Sequence, residues 1–252
     1  MAFLTTRVSK PDEDDYKKLG RCIKYLRSSR DVPLTLEADS NGGIKVRWWV
    51  DASFATHPDM RSHSGATMSL GHGSVYSSST RQKLNTKSST EAEVVGVDDA
   101  LPMVLWTRHF LLEQGYNVSD NVIYQDNQGA MILERNGRSS SGRRTRHIDV
   151  RYFFVSDKIK QGEMRVENCA TEDMVADFFT KPLQGSQFRK LRAVIMNLTE
   201  NRSSGQSSTS QECVGIQGST DDVQTDNAVS SDRGTFSKEV NNEIMRQAHY
   251  CL

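Results

Sequence analysis

Residues 44–51 read Ile44-Lys45-Val46-Arg47-Trp48-Trp49-Val50-Asp51. β-Branched and aromatic residues dominate the run and Asn41-Gly42-Gly43 before it supplies a turn, so it predicts a β-strand that delivers Asp51 at its end. Two further short runs follow, over 64–70 and 74–80, separated by Gly71-His72-Gly73. That spacing is a hairpin signal. Beyond Ser89-Thr90-Glu91 the period becomes helical: a long helix over 92–114 is expected, with Val97, Leu101, Val104, Leu105 and Leu112 inward, a kink at Pro102 and a stop at Gly115. Val122-Ile123-Tyr124-Gln125-Asp126 is a compact buried strand. A short helix over 128–135, an Arg-rich loop, a helix through Ile148, Tyr152, Phe153, Val155 and Ile159, a strand over 163–168 and a helix pair over about 172–198, interrupted by Pro182, complete the pattern. The order β-β-β-α-β-α-α-β-α predicts an α/β fold: a mixed five-stranded sheet, antiparallel first and parallel later, flanked by helices.

Upstream, residues 1–31 predict an entry turn and a helix. Asp12, Glu13, Asp14 and Asp15 favour the positive end of its dipole, and Leu19, Cys22, Ile23 and Leu26 recur at helical spacing. Such a face must pack on the following chain or on something upstream. Downstream, residues 199–252 hold nine serines and only two aromatics, Phe236 and Tyr250, too few apolar groups to offset ordering entropy. This tail is expected to be disordered. The three divisions are therefore 1–40, 41–198 and 199–252.

The chain has 252 residues, 36% of them hydrophobic, and a formal net charge of +0. The neutrality hides an asymmetry: the tail carries eight acids and four bases, leaving 28 of the 32 bases and 24 of the 32 acids in residues 1–198. No run of about 18 apolar residues exists, so no membrane partner is expected. Cys22, Cys169, Cys213 and Cys251 are scattered without a C-x-x-C pair, which indicates neither a disulfide framework nor a zinc knuckle; a reducing intracellular setting fits, cytoplasmic or nuclear.

Four acids occupy comparable places on this skeleton. Asp51 ends the first strand, Glu93 begins the long helix, Asp126 ends the fourth strand and Asp177 lies in the helix after the fifth. Strand ends and following helix starts can converge on one sheet edge, so the four carboxylates can meet there. Without cations such a cluster is costly. Hard oxygen donors suit Mg²⁺ or Mn²⁺, and a pair of ions about 3.5–4 Å apart can activate water and stabilise a leaving phosphodiester oxygen.

Six blocks carry a resemblance: Trp49-Val50-Asp51-Ala52-Ser53-Phe54-Ala55, Ser64-Gly65, residues 87–93 around Glu93, Tyr124-Gln125-Asp126-Asn127-Gln128-Gly129-Ala130, residues 146–154, and residues 173–183 ending Thr180-Lys181-Pro182-Leu183. In this order they resemble the ribonuclease H domain at the C-terminal end of Ty1/copia-type retrotransposon Pol polyproteins. Residues 16–27 look like the end of the reverse transcriptase just upstream, and no Tyr-x-Asp-Asp motif is present. The resemblance implies a ribonuclease H-like sheet, cleavage of the RNA strand of an RNA–DNA hybrid, two Mg²⁺ ions (Mn²⁺ as a substitute), and an upstream reverse transcriptase as partner, with a virus-like particle as one cytoplasmic setting. It carries the catalytic and metal-binding roles onto Asp51, Glu93, Asp126 and Asp177.

Rivals exist for two of these. Glu91 competes with Glu93, but Glu93 is in phase with Val97, Ala100, Leu101 and Val104. Its bland role would be a Thr90/Glu93 capping box. Asp149 competes with Asp177 and reads better as a helix cap. Ser53, Asn127, Gln128, Arg143, Arg144 and Arg146 are the expected nucleic-acid contacts. Asn127 and Gln128 sit beside Asp126 near sugar edges, and six arginines against Asp149 give +5 over residues 135–151, a charge suited to phosphates. Where many ribonucleases H carry a mobile His before the last Asp, this chain has Asn168-Cys169-Ala170-Thr171; His147 is expected to pack or touch substrate. Val94 and Phe153 depart from the family pattern but keep their sites apolar. Trp48, Trp49 and Trp106 are expected mostly in core. Two other functions compete: a catalytically dead remnant serving as a nucleic-acid-binding or connection module, and a related integrase or resolvase. Retention of all four acids speaks against the first, and the Thr180–Leu183 ending against the second.

Overall fold

The computed structural model describes residues 2–39, 42–137 and 149–198, Asp149 by its backbone only. Helix α1 (Ala2–Thr5) and α2 (Glu13–Ser28) open the chain. The Asp12 carboxylate accepts from the Asp15 amide and Asp15 accepts from the Asp12 amide, a reciprocal cap that Arg7 braces from outside. Only Cys22 of the expected apolar face is buried; Leu19, Ile23 and Leu26 face outward. The helix is held to the body by Tyr25, whose ring meets Phe188 edge-on at 6.0 Å.

A short strand, β1 (Glu37–Ala38), leads to β2 (Ile44–Ser53), β3 (His63–Ser69), β4 (Gly71–His72) and β5 (Tyr76–Arg81). Helix α3 (Ser89–Glu113), β6 (Val118–Gln125), α4 (Gln128–Asn136), α5 (Asp149–Lys160) and β7 (Arg165–Asn168) follow. A 3₁₀ turn (Thr171–Asp173), α6 (Asp177–Thr180) and α7 (Gly185–Met196) close the described chain. The main sheet has the order β5-β3-β2-β6-β7: β5, β3 and β2 are antiparallel, whereas β6 and β7 run parallel to β2. This is the expected five-stranded mixed sheet. The glycine turn between β3 and β5 does more than close a hairpin, because Gly71 and His72 pair with Ala38 and Glu37 in a second, two-stranded sheet.

Alternation along β2 sorts the tryptophans. Trp48 is fully buried in the main core with Val46, Val50, Val97, Leu101, Val104 and Ile123, between the sheet and α3. Trp49 points to the other face and stacks on Tyr124 at 5.4 Å, beside Cys169, Met174 and Ala176. One expectation for α3, that Leu112 faces inward, fails for a geometric reason. Each residue turns the helix by about 100°, so the buried stripe through Val97, Leu101 and Val104 reaches Thr107 and Leu111; Leu112 lies outside it and is exposed. Trp106, about 200° from Val104, is 56% exposed and stacks on Phe110. Pro102 is inside α3 and on its exposed side. Val94 packs with Ala130, Tyr152 and Phe153, so the two departures from the family pattern form one apolar cluster.

A buried histidine pair braces the β2–β3 connection. His57 Nε2 lies 3.0 Å from His63 Nδ1, and His63 Nε2 lies 2.8 Å from Ser79 Oγ on β5. Burial first, and the neighbouring His57 second, push His63 down to about 4. The fold therefore resists a proton that the unfolded chain accepts near 6.5, so stability is intact at neutral pH and falls as the pH drops from about 6.5 toward 4. Buried carboxyls of raised pKa act with the opposite sign in that window, so the test is a comparison: urea unfolding at pH 7 and pH 4.5 should show a smaller acid loss for His63→Gln than for wild type. Equal losses would place the acid sensitivity elsewhere.

Candidate active site

Asp51 lies near the carboxyl end of β2, opposite Gly65 of β3, and is 2% exposed. Asp126 follows the last residue of β6, the parallel neighbour of β2. Helix α3 starts across this edge. Its cap is built by Ser88, whose hydroxyl accepts from the Glu91 amide at 3.2 Å, and by Glu91, whose carboxylate accepts from the Lys87 amide at 2.8 Å. The Thr90/Glu93 box does not form, because the cap is already made by the pair two residues earlier. Glu93, one turn further in and 5% exposed, is turned toward Asp51 and Asp126. One carboxylate oxygen from each of Asp51, Glu93 and Asp126 lies within 4.8 Å of the other two.

Asp177, the first residue of α6, stands outside this triangle and joins it through a lysine. Lys181 Nζ is 2.6 Å from Asp177 Oδ1 and 3.4 Å from Asp51 Oδ1, and the Thr180 hydroxyl donates to Asp51 Oδ2. The segment carrying these groups is stitched to the sheet: Ser53 Oγ donates to the Thr180 carbonyl at 3.1 Å and Ser79 Oγ to the Phe179 carbonyl at 2.7 Å. It lies so close to β3 that a Cβ on Gly65 would stand 2.7 Å from Thr180 Cγ2 and 3.0 Å from the Ala176 carbonyl oxygen.

Burial of like charges dominates the electrostatics. Desolvation, then the charge of Asp51, holds Glu93 well above its usual range. Desolvation also raises Asp51, against the pull of Lys181. Asp177 is pushed up to about 6 by desolvation, which the Lys181 hydrogen bond only partly offsets. Burial works against the Lys181 charge, but Asp51, Asp177 and Asp126 outweigh it and its pKa rises. A site that raises the pKa of its own carboxyls is one whose charge is incompletely compensated.

A divalent cation fits that deficit. Glu93 Oε2 is buried and has no hydrogen-bond partner. The donors are all carboxylate oxygens, the set preferred by Mg²⁺ and Mn²⁺. Asp51, Glu93 and Asp126 are the residues that would hold such an ion.

The other expected site residues divide three ways. Ser53 spends its hydroxyl hydrogen on Thr180. Asn127 caps α4, its side-chain oxygen accepting from the Ala130 amide at 3.1 Å, while Gln128 beside it is exposed. Arg143, Arg144, Arg146 and His147, the Asp149 side chain and the tail after Leu198 lie outside the described residues. Of the six clustered arginines, the two among the described residues both have structural partners: Arg151 pairs with Asp98 and Asp99 of α3, and Arg135 donates to the Val166 carbonyl. The sequence reading missed Lys181 and Thr171, whose hydroxyl donates to Asp126 Oδ2 at 3.2 Å. The i,i+4 spacing of Asp177 and Lys181 was the available signal for the first; nothing local marked the second.

Strand order, strand direction and acids gathered at the carboxyl ends of the parallel pair define a ribonuclease H-like α/β domain. The homologues of this chain are Pol polyproteins of Ty1/copia-type retrotransposons. It is 32% identical over 195 residues to the retrovirus-related Pol polyprotein from transposon RE2 of Arabidopsis thaliana, covering 75% of this chain and 13% of that protein. The corresponding polyprotein from transposon RE1 of the same plant is 32% identical over 73% of this chain and 12% of its own length. That from transposon TNT 1-94 of Nicotiana tabacum is 27% identical, over 73% and 14%. The chain thus spans about one eighth of the curated relatives it matches. No family model matches it. Among solved structures, LC11-RNase H1 isolated from compost is 12% identical, covering 54% of this chain and 91% of its own, with a TM-score of 0.40. LC11-RNase H1 in complex with an RNA/DNA hybrid gives 10%, 53%, 92% and 0.38. Overlaps this loose leave the fold resting on the strand order.

Proposed function

We propose that this chain is a metal-dependent endonuclease that cleaves the RNA strand of RNA–DNA hybrids. One observation carries this reading: the triangle of buried Asp51 and Glu93 with half-buried Asp126, with an unpartnered Glu93 oxygen, at the carboxyl edge of a ribonuclease H-like sheet in a chain related to transposon Pol polyproteins. Mg²⁺ or Mn²⁺, as a pair of ions when bound, supplies Lewis-acid polarisation of the phosphodiester and a lowered water pKa. The chain's own residues do the rest. Glu93 and Asp51 are fixed in phase by the α3 cap and by the Thr180 hydrogen bond, so little rearrangement is needed to present their oxygens. The Thr171 hydroxyl orients Asp126. Asn127, held in place as the α4 cap, and exposed Gln128 stand next to Asp126, within reach of sugar and base edges of a bound hybrid.

The same proposal takes residues 1–40 as the end of an upstream reverse transcriptase, 41–198 as the nuclease and 199–252 as a polar tail, in an intracellular element. No described helix is long and apolar enough to cross a membrane. Arg143, Arg144 and Arg146 are assigned to hybrid phosphates: neutralising all three should flatten the logarithmic salt dependence of hybrid affinity by up to about 2.7. An unchanged slope would remove them from the interface. The decisive assay for the activity is cleavage by the purified chain with Mg²⁺ of a labelled RNA–DNA hybrid, single-stranded RNA and duplex DNA. Cleavage confined to the RNA of the hybrid is expected; equal attack on duplex DNA, or none on the hybrid, would overturn the assignment.

A further inference from the structure

The acidic site already contains one cation, the ammonium of Lys181. It spans Asp177 Oδ1 at 2.6 Å and Asp51 Oδ1 at 3.4 Å, whereas Glu93 Oε2 has no partner. The site is therefore two unequal halves: a triangle of three carboxylates open to a divalent ion, and an Asp51–Asp177 half that the chain itself has partly neutralised. We propose, resting on the metal-dependent reading above, that Lys181 is a resident counter-cation which must be displaced before a second divalent ion can enter beside Asp51 and Asp177.

Three observations point this way. The lysine is placed by construction, since the Phe179 and Thr180 carbonyls are hydrogen-bonded to Ser79 and Ser53 and the Lys181 amide donates to the Asp177 carbonyl at 2.9 Å. Its side chain is 37% exposed, so a four-carbon stem can swing the charge into water without unfolding anything. Asp51 and Asp177 are nearly buried, and two such carboxylates left facing each other without a cation would be costly, so the lysine stabilises the metal-free fold at the expense of affinity for the second ion. Lys181 is thus a positioning residue that sets the order and the concentration at which ions are taken up.

The test reads ion binding directly. Mn²⁺ titrations of the full chain, followed by the electron paramagnetic resonance of free Mn²⁺, should give one tighter and one weaker site. In Lys181→Met, which keeps the stem and removes the charge, the weaker site should tighten by about tenfold or more while the tighter one moves little, because the like charge beside the second ion is gone. The metal-free variant should melt below wild type and Mn²⁺ should close the gap. Lys181→Gln serves as the second variant if the methionine form does not fold without metal. Superimposable isotherms for folded wild type and variant, or a weaker second site in the variant, would overturn the proposal; the latter would instead make the lysine a supporting group for the ion or a fixed phosphate ligand. Hybrid cleavage does not enter the readout. A chain that binds two ions as described but cuts no hybrid would refute the nuclease reading alone.

Discussion

Asp126→Asn is expected to abolish hybrid cleavage, lowering the rate by about a thousandfold or more, while leaving the fold and hybrid affinity nearly unchanged. The amide keeps the shape of the side chain and can still accept from Thr171, but the charge that completes the triangle with Asp51 and Glu93 is lost. Metal-assisted catalysis is worth several kcal/mol, and each 1.36 kcal/mol is tenfold in rate, which sets that scale. Hybrid affinity should hold or tighten slightly, because one negative charge near the phosphates disappears. Single-turnover cleavage beside fluorescence anisotropy and circular dichroism checks all three quantities. Retained Mg²⁺-dependent cleavage at near wild-type rate would remove Asp126 from the site.

Gly65→Ala should have the second-largest effect, and on both stability and activity. Gly65 pairs with Asp51, and the segment through Ala176, Phe179 and Thr180 lies flush against it. An added methyl 2.9 Å from Phe179 Cβ and 3.0 Å from the Ala176 carbonyl has no flexible neighbour to push aside, so α6 must lift. Overpacking of this kind costs roughly 1–3 kcal/mol. Lifting α6 also draws Thr180, Lys181 and Asp177 away from Asp51, so cleavage should fall by about tenfold or more, as it does when catalytic groups are misplaced by even part of an ångström. Gly20→Ala is the control: nothing lies within 4 Å of that position on α2, and alanine is the better helix former. Urea unfolding should show a loss for the first and no loss for the second. Equal midpoints for Gly65→Ala and wild type would mean that α6 is not seated on β3.

The sheet and the triangle of acids were legible in the sequence because each rests on local pattern. Strand β2 announces itself by β-branched and aromatic content, and the helical phase of Val97, Leu101 and Val104 fixes the side of α3 on which Glu93 falls. What escaped was non-local. The β1–β4 ladder pairs two residues with two others more than thirty positions away, and no period marks so short a strand. A long amphipathic helix favours core for most of its large apolar residues, but counting on from Val104 puts Trp106 on the far side. The α3 cap fell to Ser88 and Glu91 because either Ser88 or Thr90 could serve, and only the path of Lys87 decides between them. Thr171 meets Asp126 only because β7 returns parallel to β6 and brings the following loop to the same edge.

The most direct test of the central claim is to locate the ions. Crystals of the chain grown with Mn²⁺ and an RNA–DNA hybrid, measured at a wavelength where manganese scatters anomalously, should show a peak about 2.0–2.6 Å from carboxylate oxygens of Asp51, Glu93 and Asp126. A hybrid-bound structure with that triangle empty and manganese held elsewhere would contradict it.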